Sequence, residues 1–179
     1  MTTFTIEAPF GLLFGDVTSK GLRRLDFMGG RREPPLRRAP KQRLELTGDA
    51  MSVEEQAIAT ALEAQLEGYF SRKRSDFDIP LDLSDGSEFR RRVWNVIAGI
   101  PYGETLSYAE VAAAAGNPSA YRAAGSACGA NPIVILIPCH RVVGSDKCLH
   151  GFGGGLDKKA WLLQHEGREI GAQRQLVAV

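Results

Sequence analysis

Three short apolar runs open the chain: Phe4-Thr5-Ile6-Glu7, Leu12-Leu13-Phe14-Gly15-Asp16-Val17 and Leu22-Arg23-Arg24-Leu25-Asp26-Phe27. Pro9-Phe10-Gly11 and Ser19-Lys20-Gly21 separate them with turn residues, so the pattern predicts an antiparallel meander. From Ser52 the period changes. Ser52-Val53-Glu54-Glu55 has the form of a capping box, and Ile58, Leu62, Leu66, Tyr69 and Phe70 recur at helical spacing, which predicts a helix to about Phe70. Phe77 to Leu83 alternates and reads as extended. Ser84-Asp85-Gly86-Ser87 is a polar turn cluster and the candidate boundary between two domains, 1–85 and 86–179.

The second half reads as short helices. Ser87 is positioned to cap a helix carrying Phe89, Val93, Trp94, Val96 and Ile97, ended by Gly99 and the turn Ile100-Pro101-Tyr102-Gly103. Ser107-Tyr108-Ala109-Glu110 is a second capping box, opening a helix through Ala115 that Gly116 stops. Asn117 is suited to cap a third helix with Pro118 in its first position, running from Ser119 to about Gly129. Two short helices about a tight glycine turn are the helix-turn-helix pattern, which many packed helix pairs also show. A last helix is expected over Asp157 to Glu166, ending at Gly167.

Composition narrows the class. The 179 residues, 44% hydrophobic, suffice for one large domain or two small ones. The net charge of +1 excludes a bulk polycation. Residues 1–85 carry 12 basic and 14 acidic groups and residues 86–179 carry 10 and 7, so the halves differ as −2 against +3. That tilt permits phosphate binding by the second half. Gly29 to Pro40 holds four arginines and three prolines, a solvated loop or a phosphate contact. Three cysteines without metal-ligand spacing argue for a reducing compartment. With neither a signal-like start nor an apolar run of membrane length, a soluble, cytoplasmic protein is expected.

The candidate chemistry lies at Ile137-Pro138-Cys139-His140-Arg141-Val142. The thiolate is the nucleophile, so a reactive cysteine needs a base or positive field beside it, and Pro138 stiffens the turn that presents it. The alternative is a buried small hydrophobe beside a chance histidine. The Ser119–Gly129 segment is nearly all Ala, Gly and Ser around Tyr121 and Arg122. Side chains that small allow close packing on another helix, or close approach to a DNA groove with Arg122 filling the space of an extruded base. Glu166 stands in a last helical turn, where the macrodipole disfavours an acid. It is a tolerated surface residue or the partner of a histidine such as His140.

Ile100-Pro101-Tyr102-Gly103, Ser107-Tyr108, Gly116-Asn117-Pro118, Arg122-Ala123, Asn131-Pro132, Pro138-Cys139-His140-Arg141-Val142 and Gly151-Phe152 through Lys159, Trp161-Leu162-Leu163 to Glu166-Gly167 together resemble the O6-alkylguanine-DNA alkyltransferases, also called methylated-DNA–protein-cysteine methyltransferases. The match covers about Phe89 to Gly167. The resemblance implies an α+β or α/β chain: a small antiparallel, ribonuclease-H-like sheet with a helix, then a mainly α-helical, winged-helix-like helix-turn-helix domain. It implies single-use transfer of an alkyl group from O6-alkylguanine, and O4-alkylthymine, to Cys139. His140 would be the base acting through water, Glu166 would orient it, and Asn131 would brace the turn. Tyr108 would crowd the target phosphate and help protonate the departing guanine. Arg122 would fill the stack, and Lys159 would lie near the pocket. Ser145, Gly153 and Gly154 would form the loop over the flipped base. Ser107, Asn117, Ala123, Cys128, Val142 and Phe152 complete the implied DNA and substrate surface. The implied partner is alkylated double-stranded DNA, bound through the minor groove by a monomer with little sequence preference. No cofactor or membrane is implied.

Some positions depart from the family pattern. Phe152 stands where many members have Tyr, Lys147 and Cys148 occupy the pocket loop, and Gly129 lacks a basic side chain. No cysteine precedes Cys128, so the N-terminal zinc site of some members is not expected. The rival readings are a non-catalytic binder of alkylated DNA, disfavoured because Cys139 is present, and a Cys-His thiol hydrolase, which would turn over. A helix-turn-helix regulator would carry longer polar side chains on its recognition helix than Ala123 to Ala127.

Overall fold

The computed structural model describes residues 2–29, 44–47, 51–171 and 173–177; all but the first residue of the Gly29–Pro40 basic segment lies outside them. The chain divides into two compact units, Met1–Ser84 and Asp85–Val179.

In the first unit the expected meander forms. β1 (Thr2–Ala8), β2 (Gly11–Thr18) and β3 (Gly21–Phe27) are joined by two-residue turns, with β4 (Leu44–Thr47) on the far side of β1, and the sheet order is β3-β2-β1-β4, all neighbours antiparallel. The β2–β3 turn works because Gly21 holds φ at +147° and a Cβ there would stand 2.3 Å from the Pro80 carbonyl oxygen. α1 (Val53–Phe70) begins at the expected capping box: Ser52 Oγ accepts from Glu55 N, and Glu55 Oε2 accepts from Ser52 N. Its buried face, Ala59, Leu62, Leu66 and Tyr69, repeats at helical spacing and packs with β1, β2 and β3 around Phe4, Leu13, Leu25 and Phe27. Each such leucine contributes about 1.5–3 kcal/mol by leaving water. The Phe77–Leu83 segment does not become a full strand. It makes one parallel bridge, Leu81 to Leu22, because Pro80 has no N–H to extend the ladder.

The second unit stacks α2 (Glu88–Ala98), α3 (Tyr108–Ala114) and α4 (Tyr121–Gly129). Ser87 caps α2, which buries Val93, Trp94 and Ile97, and Trp94 Nε1 donates to the Ala127 carbonyl at 2.9 Å, tying α2 to α4. Ser107 caps α3 with a full capping box. Gly116, at φ +85°, turns the chain after α3. The third helix starts later than its sequence suggests. Asn117 does not cap it: Ser119 Oγ donates to Asn117 Oδ1, and Ala120 N closes a turn on the Asn117 carbonyl. α4 therefore begins at Tyr121, with Ala120 as an N-cap that makes no side-chain hydrogen bond. Beyond α4, Cys139–Arg141 forms one 3₁₀ turn, and β6 (Val142–Val143) pairs in parallel with β5 (Leu106–Ser107). That pairing fixes the start of α3 against the strand leaving the cysteine. α5 (Leu156–His165) follows, with Glu166 at its C-cap rather than inside its last turn. Residues 173–177 then strap the 144–150 loop, where Leu149 N donates to the Arg174 carbonyl and Leu176 N to that of Lys147. Val143, Leu149, Leu163 and Leu176 close a small core beneath.

Candidate active site

The apolar run before Cys139 is a tight turn. Ile135 sits at φ +73°, in the left-handed region, where a β-branched residue costs about 1–3 kcal/mol. Asn131 holds it there. Its Oδ1 accepts from Ile133 N at 3.0 Å, and its Nδ2 donates to the Ile137 carbonyl at 2.7 Å and to Cys139 Sγ at 3.1 Å. Cys139 is 7% exposed, and its Sγ accepts the hydrogen bond from Asn131 Nδ2.

Behind it lies a buried polar cluster. His140 Nε2 donates to Glu166 Oε1 at 2.9 Å, and both side chains are wholly buried. Burial depresses the His140 pKa below 6.5 despite the opposing pull of Glu166, so the ring is neutral at pH 7. Burial opposes ionisation of Glu166, but the hydrogen bonds of His140 and Arg141 and the charge of Arg141 outweigh it and hold the carboxyl well below the usual range. With Nε2 committed as donor, His140 Nδ1 is the acceptor, and it is buried with no protein partner. The second basic partner of Glu166 was not anticipated. Arg141 Nε and Nη2 grip the two carboxylate oxygens at 2.9 Å each, while Nη1 donates to the Ile100 carbonyl and Gly103 N reaches Glu166 Oε2 at 3.3 Å. An arginine after a histidine normally reads as a surface charge; the signal for its burial was the unbroken apolar run on its N-terminal side.

Lys159 is fully buried. Its Nζ donates to the carbonyls of Val142 at 2.7 Å and His150 at 3.2 Å, and lies about 6 Å from the rings of Tyr108 and Phe152. Burial lowers its pKa to about 8, against the opposing effect of Cys139 and Cys128. Burial, followed by the charge of Cys139, raises Cys128 to about 12. Burial also raises Tyr108 to about 12, with Cys128 and Cys139 adding to it, so its phenol keeps its proton. Cys139, His140, Glu166, Asn131, Tyr108, Cys128, Val142, Phe152 and Lys159 thus gather in one region. Ser107 lies under it as the α3 cap. Arg122, Ala123 and Asn117 stand exposed on and before α4, Ser145 is exposed in the 144–150 loop, and Gly153 and Gly154 lie just ahead of α5. Arg122 makes no ion pair with a described residue. Among the described residues no three His, Cys, Asp or Glu side chains converge as a metal set, and no helix is long and apolar enough to cross a membrane.

The family model described as "6-O-methylguanine DNA methyltransferase, DNA binding domain" matches residues 88–168. A methylated-DNA–protein-cysteine methyltransferase of Methanosarcina barkeri is 43% identical over 90% of this chain and 94% of its own. The chain belongs to the methylated-DNA–protein-cysteine methyltransferase family. A relative of the same name from Mycolicibacterium paratuberculosis is 44% identical over 96% of both chains. A crystal structure of Mycobacterium tuberculosis OGT in complex with DNA superposes with a TM-score of 0.76 at 37% identity, covering 92% of each chain. The α+β class follows from the same likeness, and the activity is DNA repair by alkyl transfer, with DNA as the partner.

Proposed function

We propose that Cys139 takes the alkyl group from O6-alkylguanine, and from O4-alkylthymine, in duplex DNA and is consumed in doing so. The observation that carries this reading is the chain of contacts Asn131–Cys139 and His140–Glu166–Arg141, which offers a thiol, a neutral base with one free nitrogen, and a fixed charge behind it. The thiol proton leaves through a water to His140 Nδ1, and the imidazolium so formed is held by Glu166. The Cys139 sulfur attacks the alkyl carbon in line with the C–O bond; that bond breaks, its electrons pass to the guanine, and Tyr108 supplies a proton to the leaving base. The product is a thioether, which water does not cleave under mild conditions, so one protein repairs one lesion.

In this reading the second unit is the DNA-binding and alkyl-acceptor domain. α4 enters the minor groove of the duplex, its exposed Ala123, Ser126 and Gly129 allowing close approach, and Arg122 fills the space left by the extruded base. Ser145, Gly153 and Gly154 line the side the flipped base enters. The protein acts as a monomer in the cytoplasm, a reducing compartment that its sparse, odd cysteine count suits. Incubation with a duplex carrying O6-methylguanine should add about 14 Da per protein, mapped to Cys139. A label on Cys128 or Cys148, or more than one lesion repaired per protein, would overturn the mechanism.

A further inference from the structure

Tyr121 has no part in the chemistry above, yet its placement is specific. It is the first residue of α4, is 48% exposed, and its ring lies 5.5 Å from the Arg122 guanidinium carbon. Tyr121, Gly125 and Cys128 fall at i, i+4 and i+7 and share one edge of the helix. Farther along, that edge borders the reactive pocket: a Cβ on Gly125 would lie 3.7 Å from the Tyr108 ring, and Cys128 is buried near the end of α4. Arg122 begins the adjoining exposed face, continued by Ser126 and Gly129. The tyrosine ring therefore stands at the corner between the DNA-facing side of α4 and the mouth of the thiol pocket.

We infer that Tyr121 is a positioning residue for base extrusion: its ring holds the Arg122 guanidinium at that corner before DNA arrives. This rests on the DNA-inserting role proposed for Arg122. An arginine with no acidic partner otherwise samples many rotamers, and fixing it on binding slows insertion. The ring face attracts the cation electrostatically and limits that search in advance.

The test compares single-turnover transfer from an O6-methylguanine duplex with transfer from free O6-benzylguanine, for Tyr121→Ala, Tyr121→Leu and Tyr121→Phe, each with Arg122 intact and with Arg122→Ala. Neither Ala nor Leu weakens the start of a helix relative to Tyr. Ala and Leu should slow the duplex reaction about 2- to 30-fold, the range spanned by exposed and desolvated cation–π contacts. Phe should stay within about twofold of the native rate, and the free-base reaction should change by less than about twofold. With Arg122→Ala in place, Tyr121→Ala should cost nothing more. Leu acting as well as Phe, an equal loss on the free base, or a loss that persists without Arg122 would each overturn the inference. If Arg122→Ala shows no duplex-specific loss, the insertion role itself falls. If Arg122→Ala shows that loss and Tyr121→Ala shows none, only the role of Tyr121 falls.

Discussion

Replacing Glu166 by Gln keeps the shape of the side chain and removes its charge. The native carboxylate takes four N–H donors: His140 Nε2, Arg141 Nε and Nη2, and Gly103 N. In the variant, one oxygen becomes an NH2 group that must face donors, and Arg141 becomes a buried cation without an anion. Breaking a buried pair from one side costs about 3–5 kcal/mol. At about 2–4 °C per kcal/mol for a chain of this size, the melting temperature should fall by roughly 6–20 °C. In the proposed reaction His140 also loses, whichever way the amide is turned, the carboxylate charge that holds its imidazolium, and a positioned general base supplies about 10²–10⁴ in rate. Quenched-flow transfer from duplex DNA, run well below the new melting temperature, should therefore slow at least about 100-fold. A folded Glu166→Gln protein that transfers within threefold of the native rate would refute the role of the cluster.

The same residues set the response to acid. Glu166 titrates far below the ordinary 4.5, so its contribution to stability is complete above that pH and is lost as pH falls through its native value. His140 acts in the same direction from higher pH. Below 6.5 the unfolded histidine binds a proton that the buried one does not, so stability declines from there. Denaturant midpoints should fall steadily below pH 6.5, and Glu166→Gln should flatten the part below 4.5.

Asn131→Ala removes the brace of the cysteine turn and strands the Ile133 N–H, at about 1–3 kcal/mol, while the Ile137 carbonyl keeps its bond from Cys139 N; urea unfolding should show a loss of about 1–3 kcal/mol, and transfer should slow on the free base as much as on duplex, whereas a loss confined to DNA would place Asn131 elsewhere. Lys159 loses its proton near pH 8 in the native state and at 10.5 when unfolded, so from pH 8 upward the unfolded chain binds more protons and this term raises stability. The stability of the native protein relative to Lys159→Met should therefore increase between pH 8 and 9, below the range where the raised Cys128 and Tyr108 act in the opposite sense, and a flat difference would mean that Lys159 is not buried as a cation.

What the sequence made legible was local. The caps at Ser52, Ser87 and Ser107 and the stop at Gly116 involve residues within a few positions of one another, and each formed as expected. The start of α4 was misplaced because Asn117 has two local options, and a serine two residues on drew its side chain away from the helix. β4 and the two-residue pair β5–β6 carry too few residues to show a period. The Cys139-His140 motif was readable as adjacent residues, and Glu166 as an acid at the wrong end of a helix. The Arg141 grip on that acid spans 25 positions and left no mark in spacing.

The costly features of the second unit converge on one place. Ile135 in a left-handed conformation, the ammonium of Lys159 out of water, and the enclosed Arg141–Glu166 pair each work against folding when taken alone. The caps of α2 and α3, and ordinary apolar packing in α2 through α5 and in the small core around Leu163 and Leu176, supply the stability elsewhere. That separation has a chemical reason. In the proposed reaction the sulfur attacks carbon and needs a fixed line of approach, which the strained turn and Asn131 would provide. It also needs its charge developed away from bulk water, which the buried histidine, carboxylate and ammonium provide. Replacing these groups with well-packed apolar residues would relieve the strain and the burial of charge, and would leave a stable helix-turn-helix with an inert thiol.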